Sequence, residues 1–200
     1  MCKIKINKVS VRTSSIEKKT KEAEVRIFVN LDGEGKRKIS TSIGFLDHMI
    51  EIFSEFSLFD IEIEAKGDIH VDYHHITEEI GLCFGKVIRE ACGDDIERFA
   101  NAKVPLDEAL CEFVLDISGR PYFFIHNFNL IRESLYANIL HVFFDGVARG
   151  GGFTQHCIIE YGMNSHHIVE ACFKAAALCF KKATRKRGLS KPSSTKGYIF

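Results

Sequence analysis

The motif His-His-x-x-Glu occurs twice in this chain, as His74-His75-Ile76-Thr77-Glu78 and as His166-His167-Ile168-Val169-Glu170. Each copy follows one isolated histidine, His48 or His141, at nearly the same distance. Six of the 9 histidines therefore fall into a duplicated pattern of good metal ligands. On a helix, residues three and four apart share a face, so Glu78 and Glu170 can each lie beside either imidazole of their own motif. Neighbouring residues point about 100° apart, so one helix offers its two histidines to two different ions. Together, His48, His74, His75, His141, His166, His167, Glu78 and Glu170 supply six imidazoles and two carboxylates. Divided evenly, that is three His and one Glu at each of two sites. This mixed nitrogen and oxygen set suits Mn2+, Fe2+, Zn2+ or Co2+. Four protein ligands on an octahedral ion leave two positions for substrate or water, as catalysis requires. A single His-His pair on an apolar helix reads as a packed pair. Duplication, the shared Glu offset and the matched upstream histidines make it a ligand set. His70, His126 and His156 have no such pattern, although His156 follows a glycine-rich stretch and is a candidate to approach the site.

These residues need elements to hold them. The segment from Lys21 to Gly33 alternates apolar and polar positions like a half-buried strand, and Asp107 to Gly119 repeats it. Glu22 matches Glu108, Val25 matches Cys111 and Gly33 matches Gly119. Phe45 to Phe56 has helical spacing, and Phe59 to Val71 alternates like a strand around a Gly67-Asp68 turn. His74 to Ala91 reads as a helix that Gly93 ends, and His166 to Thr184 as another. Tyr122 to Leu130 and Gln155 to Tyr161 read as strands. Gly150-Gly151-Gly152 lacks the strand and GKS/T context of a phosphate loop and reads as a flexible loop. The expectation is one α+β domain over residues 1–200, internally duplicated. Its repeats span about 1–93 and 94–185, and a basic tail runs over 186–200.

Bulk properties exclude several classes. The 27 basic and 27 acidic residues cancel, so no whole-molecule field attracts nucleic acid or an anionic membrane. No apolar run approaches a bilayer span. The start, Met1-Cys2-Lys3-Ile4-Lys5-Ile6, shows no signal peptide. The 7 cysteines include no CxxC pair and read as reduced, mostly buried thiols of a cytoplasmic protein. The basic run Lys181 to Arg187 closes a helix, where cations are favoured.

With these residues in hand, the chain resembles imidazoleglycerol-phosphate dehydratases. The resemblance covers nearly the whole length. It rests on Phe45-Leu46-Asp47-His48-Met49, Gly67-Asp68, Asp72-Tyr73-His74-His75-Ile76-Thr77-Glu78-Glu79, Pro105-Leu106-Asp107-Glu108-Ala109, Ser118-Gly119-Arg120-Pro121-Tyr122, Asn164-Ser165-His166-His167 with Glu170-Ala171, and Ser194-Thr195-Lys196-Gly197. It implies two half-domains, each a four-stranded sheet with helices on one face, in a ribosomal protein S5 domain 2-like fold. It also implies two Mn2+ ions per site, sites shared between neighbouring subunits, and a homo-oligomeric cage of about 24 copies.

The implied reaction, in histidine biosynthesis, removes water from imidazole glycerol phosphate to give imidazole acetol phosphate. The hydrogen to be lost sits on a carbon with no adjacent carbonyl. If both ring nitrogens bind metal, the resulting imidazolate can expel the neighbouring hydroxyl and acidify that C–H bond. The resemblance makes the eight residues above the ligands and Glu22 the acid–base residue, with Glu170 sharing proton transfer. It assigns the phosphate to Arg98, Arg120, Lys174, Ser194 and Lys196, an arginine fork and point charges that suit a dianion. Departures stand at Ile52, where the family usually has Gln, and at Phe56-Ser57, where it usually has His-Gly. They motivate one other reading, a dimetal lyase or hydrolase on a related phosphorylated azole; outside enzymes, the alternative is a metal-stapled structural cage without turnover.

Overall fold

The computed structural model describes residues 3–10, 12–189 and 192–199. Met1 and Cys2 of the segment read as free of a leader, and Ser190, Lys191 and Phe200 of the tail, lie outside the described residues. The chain opens on β1 (Lys3–Ser10) and then builds two similar halves. The first runs β2 (Thr13–Lys19), β3 (Ala23–Asn30), β4 (Arg37–Ser40), α1 (Gly44–Ser57), β5 (Asp60–Gly67) and α2 (His74–Cys92). The second runs β6 (Phe99–Leu106), β7 (Ala109–Ile117), β8 (Tyr122–His126), α3 (Ser134–Gly151), β9 (Phe153–Tyr161) and α4 (Ser165–Ala183). Strand order is β2-β3-β5-β4 in the first half and β6-β7-β9-β8 in the second, so the expected four-stranded sheets are present. The first carries one strand more, β1, antiparallel on the free edge of β2. In both halves the strand before the first helix lies parallel to the strand after it. A parallel pair cannot close through a hairpin, and α1 and α3 are the crossovers.

Period-2 alternation decides which face is covered. Ala23, Val25, Ile27 and Val29 of β3 are buried, as are Ala109, Cys111, Phe113, Leu115 and Ile117 of β7. α2 lies on β2 and β3, and α4 lies on β6 and β7. The helices then pair across the halves, α2 with α3 and α1 with α4. One helical layer thus sits between two sheets, and the core is shared. Phe53 of α1 meets Phe84 of α2 and Phe180 of α4 edge-on, with centroids 5.4 and 5.6 Å apart. Such aromatic contacts are worth about 0.5–1.5 kcal/mol each beyond area burial. The six described cysteines are free and buried, and burial pushes the Cys92 and Cys179 thiols up to about 12.

Three readings are corrected. Gly150 and Gly151 are not loop residues but the last two of α3, and Gly152 caps it with φ +67°. The helix itself escaped the sequence reading because glycine is a poor helix former. Its glycines serve contact instead: a methyl group on Gly150 would overlap the Leu82 carbonyl, and one on Gly146 would lie 2.9 Å from the Glu78 carbonyl oxygen. Ile69 and Val71 do not extend β5; they are exposed in the turn before α2. β8 stops at His126, and Phe128–Leu130 form a 3-10 turn. The tail is irregular but anchored, with Ile199 buried and the Ser193 carbonyl accepting from Arg98 at 2.8 Å.

Candidate functional site

Polar caps fix where each His-His pair stands. Asn164 Oδ1 accepts from the backbone N–H groups of His166 and His167 at 2.9 and 3.4 Å. Asp72 Oδ1 accepts from the His74 N–H at 2.8 Å. Caps of this kind satisfy first-turn donors and start the helix at the histidines. At the head of α1, Asp47 Oδ1 accepts from the Thr41 N–H and hydroxyl at 2.8 and 2.5 Å. Asp47 is thereby tied to the preceding loop, while His48 is exposed.

α1 and α4 bring three ligand atoms together. Glu170 Oε2 lies 3.2 Å from His166 Nε2 and 3.5 Å from His48 Nε2. Among the described residues, this is the one group whose three donor atoms all lie within 4.8 Å of one another. The second oxygen of Glu170 accepts from Lys174 at 2.8 Å. Burial pushes the Glu170 carboxyl up, but Lys174, His166 and His48 together outweigh it and hold it below the ordinary glutamate range.

The other histidine of each motif is braced by a carboxylate. His167 Nδ1 donates to Glu108 Oε2 at 2.8 Å, and His75 Nδ1 to Asp68 Oδ2 at 3.2 Å. Both bonds raise the imidazole above its usual pKa. Glu108 is held down to about 2 by His167 first, and then by the backbone N–H groups of Asn164 and Met163. A carboxylate on Nδ1 fixes the tautomer and presents Nε2 as the free donor, the usual setting of a metal-binding histidine. Imidazole nitrogens and carboxylate oxygens in this arrangement fit a divalent transition metal.

The remaining predicted ligands do not join them within one chain. His74 lines a cavity of 280 Å3 with Asp72, Thr77, Ser134 and Asn138. His141 is exposed beside the rings of Phe123 and Phe128. Glu78 accepts from Arg149 at 2.6 Å. The even division of ligands is therefore not assembled inside a single protomer. The close crossing of α2 on α3 sets Glu78 against Gly146 and Arg149, beyond His141 along the helix. Both motifs nonetheless flank the first turn of α3, since Tyr136 packs on His166 with centroids 6.1 Å apart.

Glu22 is exposed, and among the described residues its carboxylate has no side-chain partner. Its charge contributes to raising His75, which places it on that side of the molecule. Arg98, Arg120, Ser194 and Lys196 line one cavity of 360 Å3 with Tyr198. Lys174 is not among them; it bridges Glu170 and the ring of Phe56 instead. The Arg98 fork is held by Asp116 at 2.7 and 3.2 Å. His156 faces out of β9 against Tyr122 and Phe124, away from the ligand group. Ser57 is buried and closes the end of α1, its hydroxyl accepting from the Phe59 N–H at 3.1 Å. The bracing roles of Glu108 and Asp68 escaped the sequence reading. The match of Glu108 to Glu22 was the signal that marked one of them.

The family model described as imidazoleglycerol-phosphate dehydratase matches residues 41–180. A protein of that name from Azorhizobium caulinodans is 44% identical over 177 residues, covering 86% of this chain and 90% of its own. Its namesake from Citrifermentans bemidjiense is 42% identical over 179 residues, covering 87% and 91%. The crystal structure of IGPD from Pyrococcus furiosus superposes with a TM-score of 0.80 at 34% identity, covering 92% of this chain and 99% of that one.

Proposed function

Because this chain belongs to the imidazoleglycerol-phosphate dehydratase family, we propose that it is a hydro-lyase of histidine biosynthesis that converts imidazole glycerol phosphate to imidazole acetol phosphate. The observation that carries this reading is the His48–His166–Glu170 group standing in a helix start with carboxylate-braced His167. A second braced imidazole, His75, repeats the device. The ions proposed for these donors are two Mn2+. Held by these donors, they would supply Lewis acidity toward the substrate's imidazole.

The chain's own groups handle the rest. Asp68 and Glu108 keep His75 and His167 in one tautomer and orientation. The hydroxyl on the carbon beside the ring leaves as water, with its proton delivered from the Glu170 side. Loss of that hydroxyl makes the next C–H acidic enough for a carboxylate. Glu22, with no side-chain partner among the described residues, takes this proton. Glu170 shares proton transfer from the ligand side. The enol that results becomes the ketone. Arg98, Arg120, Ser194 and Lys196 hold the phosphate.

The geometry also supports sites shared between copies. α4 and β7 both run from the ligand group to the phosphate cavity. His167 and Glu108 meet at their first ends, while at the far ends Arg98 binds the Ala183 carbonyl and Ser118 lines the cavity. The 19 residues of α4 span roughly 28 Å. A three-carbon phosphate cannot bridge that gap. A second copy must then bring its phosphate cavity to the first copy's ligands, in a homo-oligomer for which the family resemblance suggests a cage of about 24 copies. Cytoplasmic location belongs to the same reading.

Phe56 favours one alternative, since its ring lies under Lys174 at 5.5 Å where the family usually has a polar residue. That alternative is a lyase for a related phosphorylated azole. The test is turnover by protein stripped with chelator and reloaded with Mn2+. A rate on imidazole glycerol phosphate that returns with Mn2+ supports the dehydratase. Metal retained with no rate on that substrate sinks it, and a rate on a related azole would select the alternative.

A further inference from the structure

The duplicated helices differ at the position four residues after the motif glutamate. In α4 that residue is Lys174, and its ammonium holds one oxygen of Glu170 at 2.8 Å. The other oxygen is thereby turned to His166 and His48. In α2 the corresponding residue is Leu82, which carries no charge. The cation at Glu78 comes from another helix. Arg149, in the last turn of α3, donates through Nη2 to Glu78 Oε1 at 2.6 Å and through Nε to Asp145 Oδ2 at 2.8 Å. Among the described residues, Glu78 Oε2 has no partner. Glycines make the reach possible: Gly81, Gly146 and Gly150 let the α2 and α3 backbones approach to where no side chain fits. Asp145 orients the guanidinium from its own helix, so little further freedom is lost when it meets Glu78.

We propose that Arg149 is a positioning residue for the second metal ion, holding one oxygen of Glu78 so that the other faces the ion, as Lys174 does for Glu170. The proposal rests on the reading of Glu78 as a ligand. Its logic is orientation, because both partners are partly exposed and a surface ion pair by itself stabilises little. An arginine on a neighbouring helix replaces the in-helix lysine that one half of the duplication lacks.

The test is equilibrium dialysis of Mn2+ against chelator-stripped protein, with bound metal counted per protomer and no turnover measured. Wild type is expected to hold two ions. Arg149→Leu should hold one as wild type does and the other about 10- to 100-fold more weakly. Arg149→Lys should stay within a few-fold of wild type. In a Glu78→Gln background, Arg149→Leu should add no further loss, which a merely structural role would not predict. Unchanged or tighter binding by Arg149→Leu overturns the proposal. So does a loss in both ions that Arg149→Lys does not relieve, or a further loss in the Glu78→Gln background. Wild type that binds no Mn2+ would instead overturn the two-metal reading itself.

Discussion

Glu22 and Glu108 occupy one position in two halves, and their surroundings separate them. Glu108 is committed to His167 and two backbone N–H groups. In the first half Asp68 takes the corresponding histidine, and Glu22 is exposed with no side-chain partner among the described residues. Glu22→Gln is expected to lower turnover about 10²- to 10⁴-fold while metal content and assembly stay unchanged, checked by steady-state rates and metal analysis. An intact rate would move the base elsewhere. Glu108→Gln should instead weaken metal retention about 10- to 100-fold, read by dialysis. The same pair gives the metal-free protein a pH window. Glu108, depressed to about 2, contributes stability above its unfolded value near 4.5, and this is lost as pH falls toward 2. His167, raised above 6.5, contributes below that value, and this is lost as pH rises through its folded pKa. Denaturant midpoints of stripped protein should therefore fall on both sides of that window more in wild type than in Glu108→Gln.

At the scale of elements, the helix pairs carry the design. α2 and α3 touch through backbone because Gly81, Gly85, Gly146 and Gly150 present no side chains. Gly150→Ala is expected to destabilise the fold by about 1–3 kcal/mol, since the added methyl would overlap the Leu82 carbonyl. Gly44→Ala meets nothing within 4 Å and should stay within about 0.5 kcal/mol. Equal effects at both positions in chemical unfolding would remove the close-packing argument. α1 and α4 stand where side chains fit between them, and there His48, His166 and Glu170 converge. The contrast explains why three of the proposed ligands gather within a protomer while His74, His75, Glu78 and His141 stay spread over α2 and α3.

For the whole molecule, the separation of ligands from phosphate cavity predicts complementation. His166→Ala and Lys196→Ala should each be inactive alone. Denatured together and refolded, they should regain activity in roughly a quarter of sites by random mixing, if one copy supplies ligands and another the phosphate cavity. No recovery in mixed oligomers of normal size would place the whole site in one copy. Among the described residues, no helix is long and apolar enough to cross a membrane. The two sheets enclose the four helices, which leaves outer sheet faces, edges and helix ends as the surfaces a second copy would meet.

The sequence by itself singled out the residues proposed to carry the chemistry. The repeated His-His-x-x-Glu motif, the period-2 strands before it and the helical spacing after it are local patterns, and local patterns survive without tertiary context. The duplication and the strands β3, β5, β7, β8 and β9 were legible for the same reason, whereas β1, β2, β4 and β6 were not read from pattern and the four-stranded sheets came from the family resemblance. Tertiary structure decided the rest, because it depends on contacts between distant segments. α3 was hidden because its glycines lower helix propensity, and their benefit appears only when α2 packs against them. That helices pair across halves, that Glu108 and Asp68 brace the histidines, and that Arg149 replaces a missing lysine depend on which segments meet. Spacing along the chain places no distant cation beside Glu78; the approach of two glycine-lined helices does.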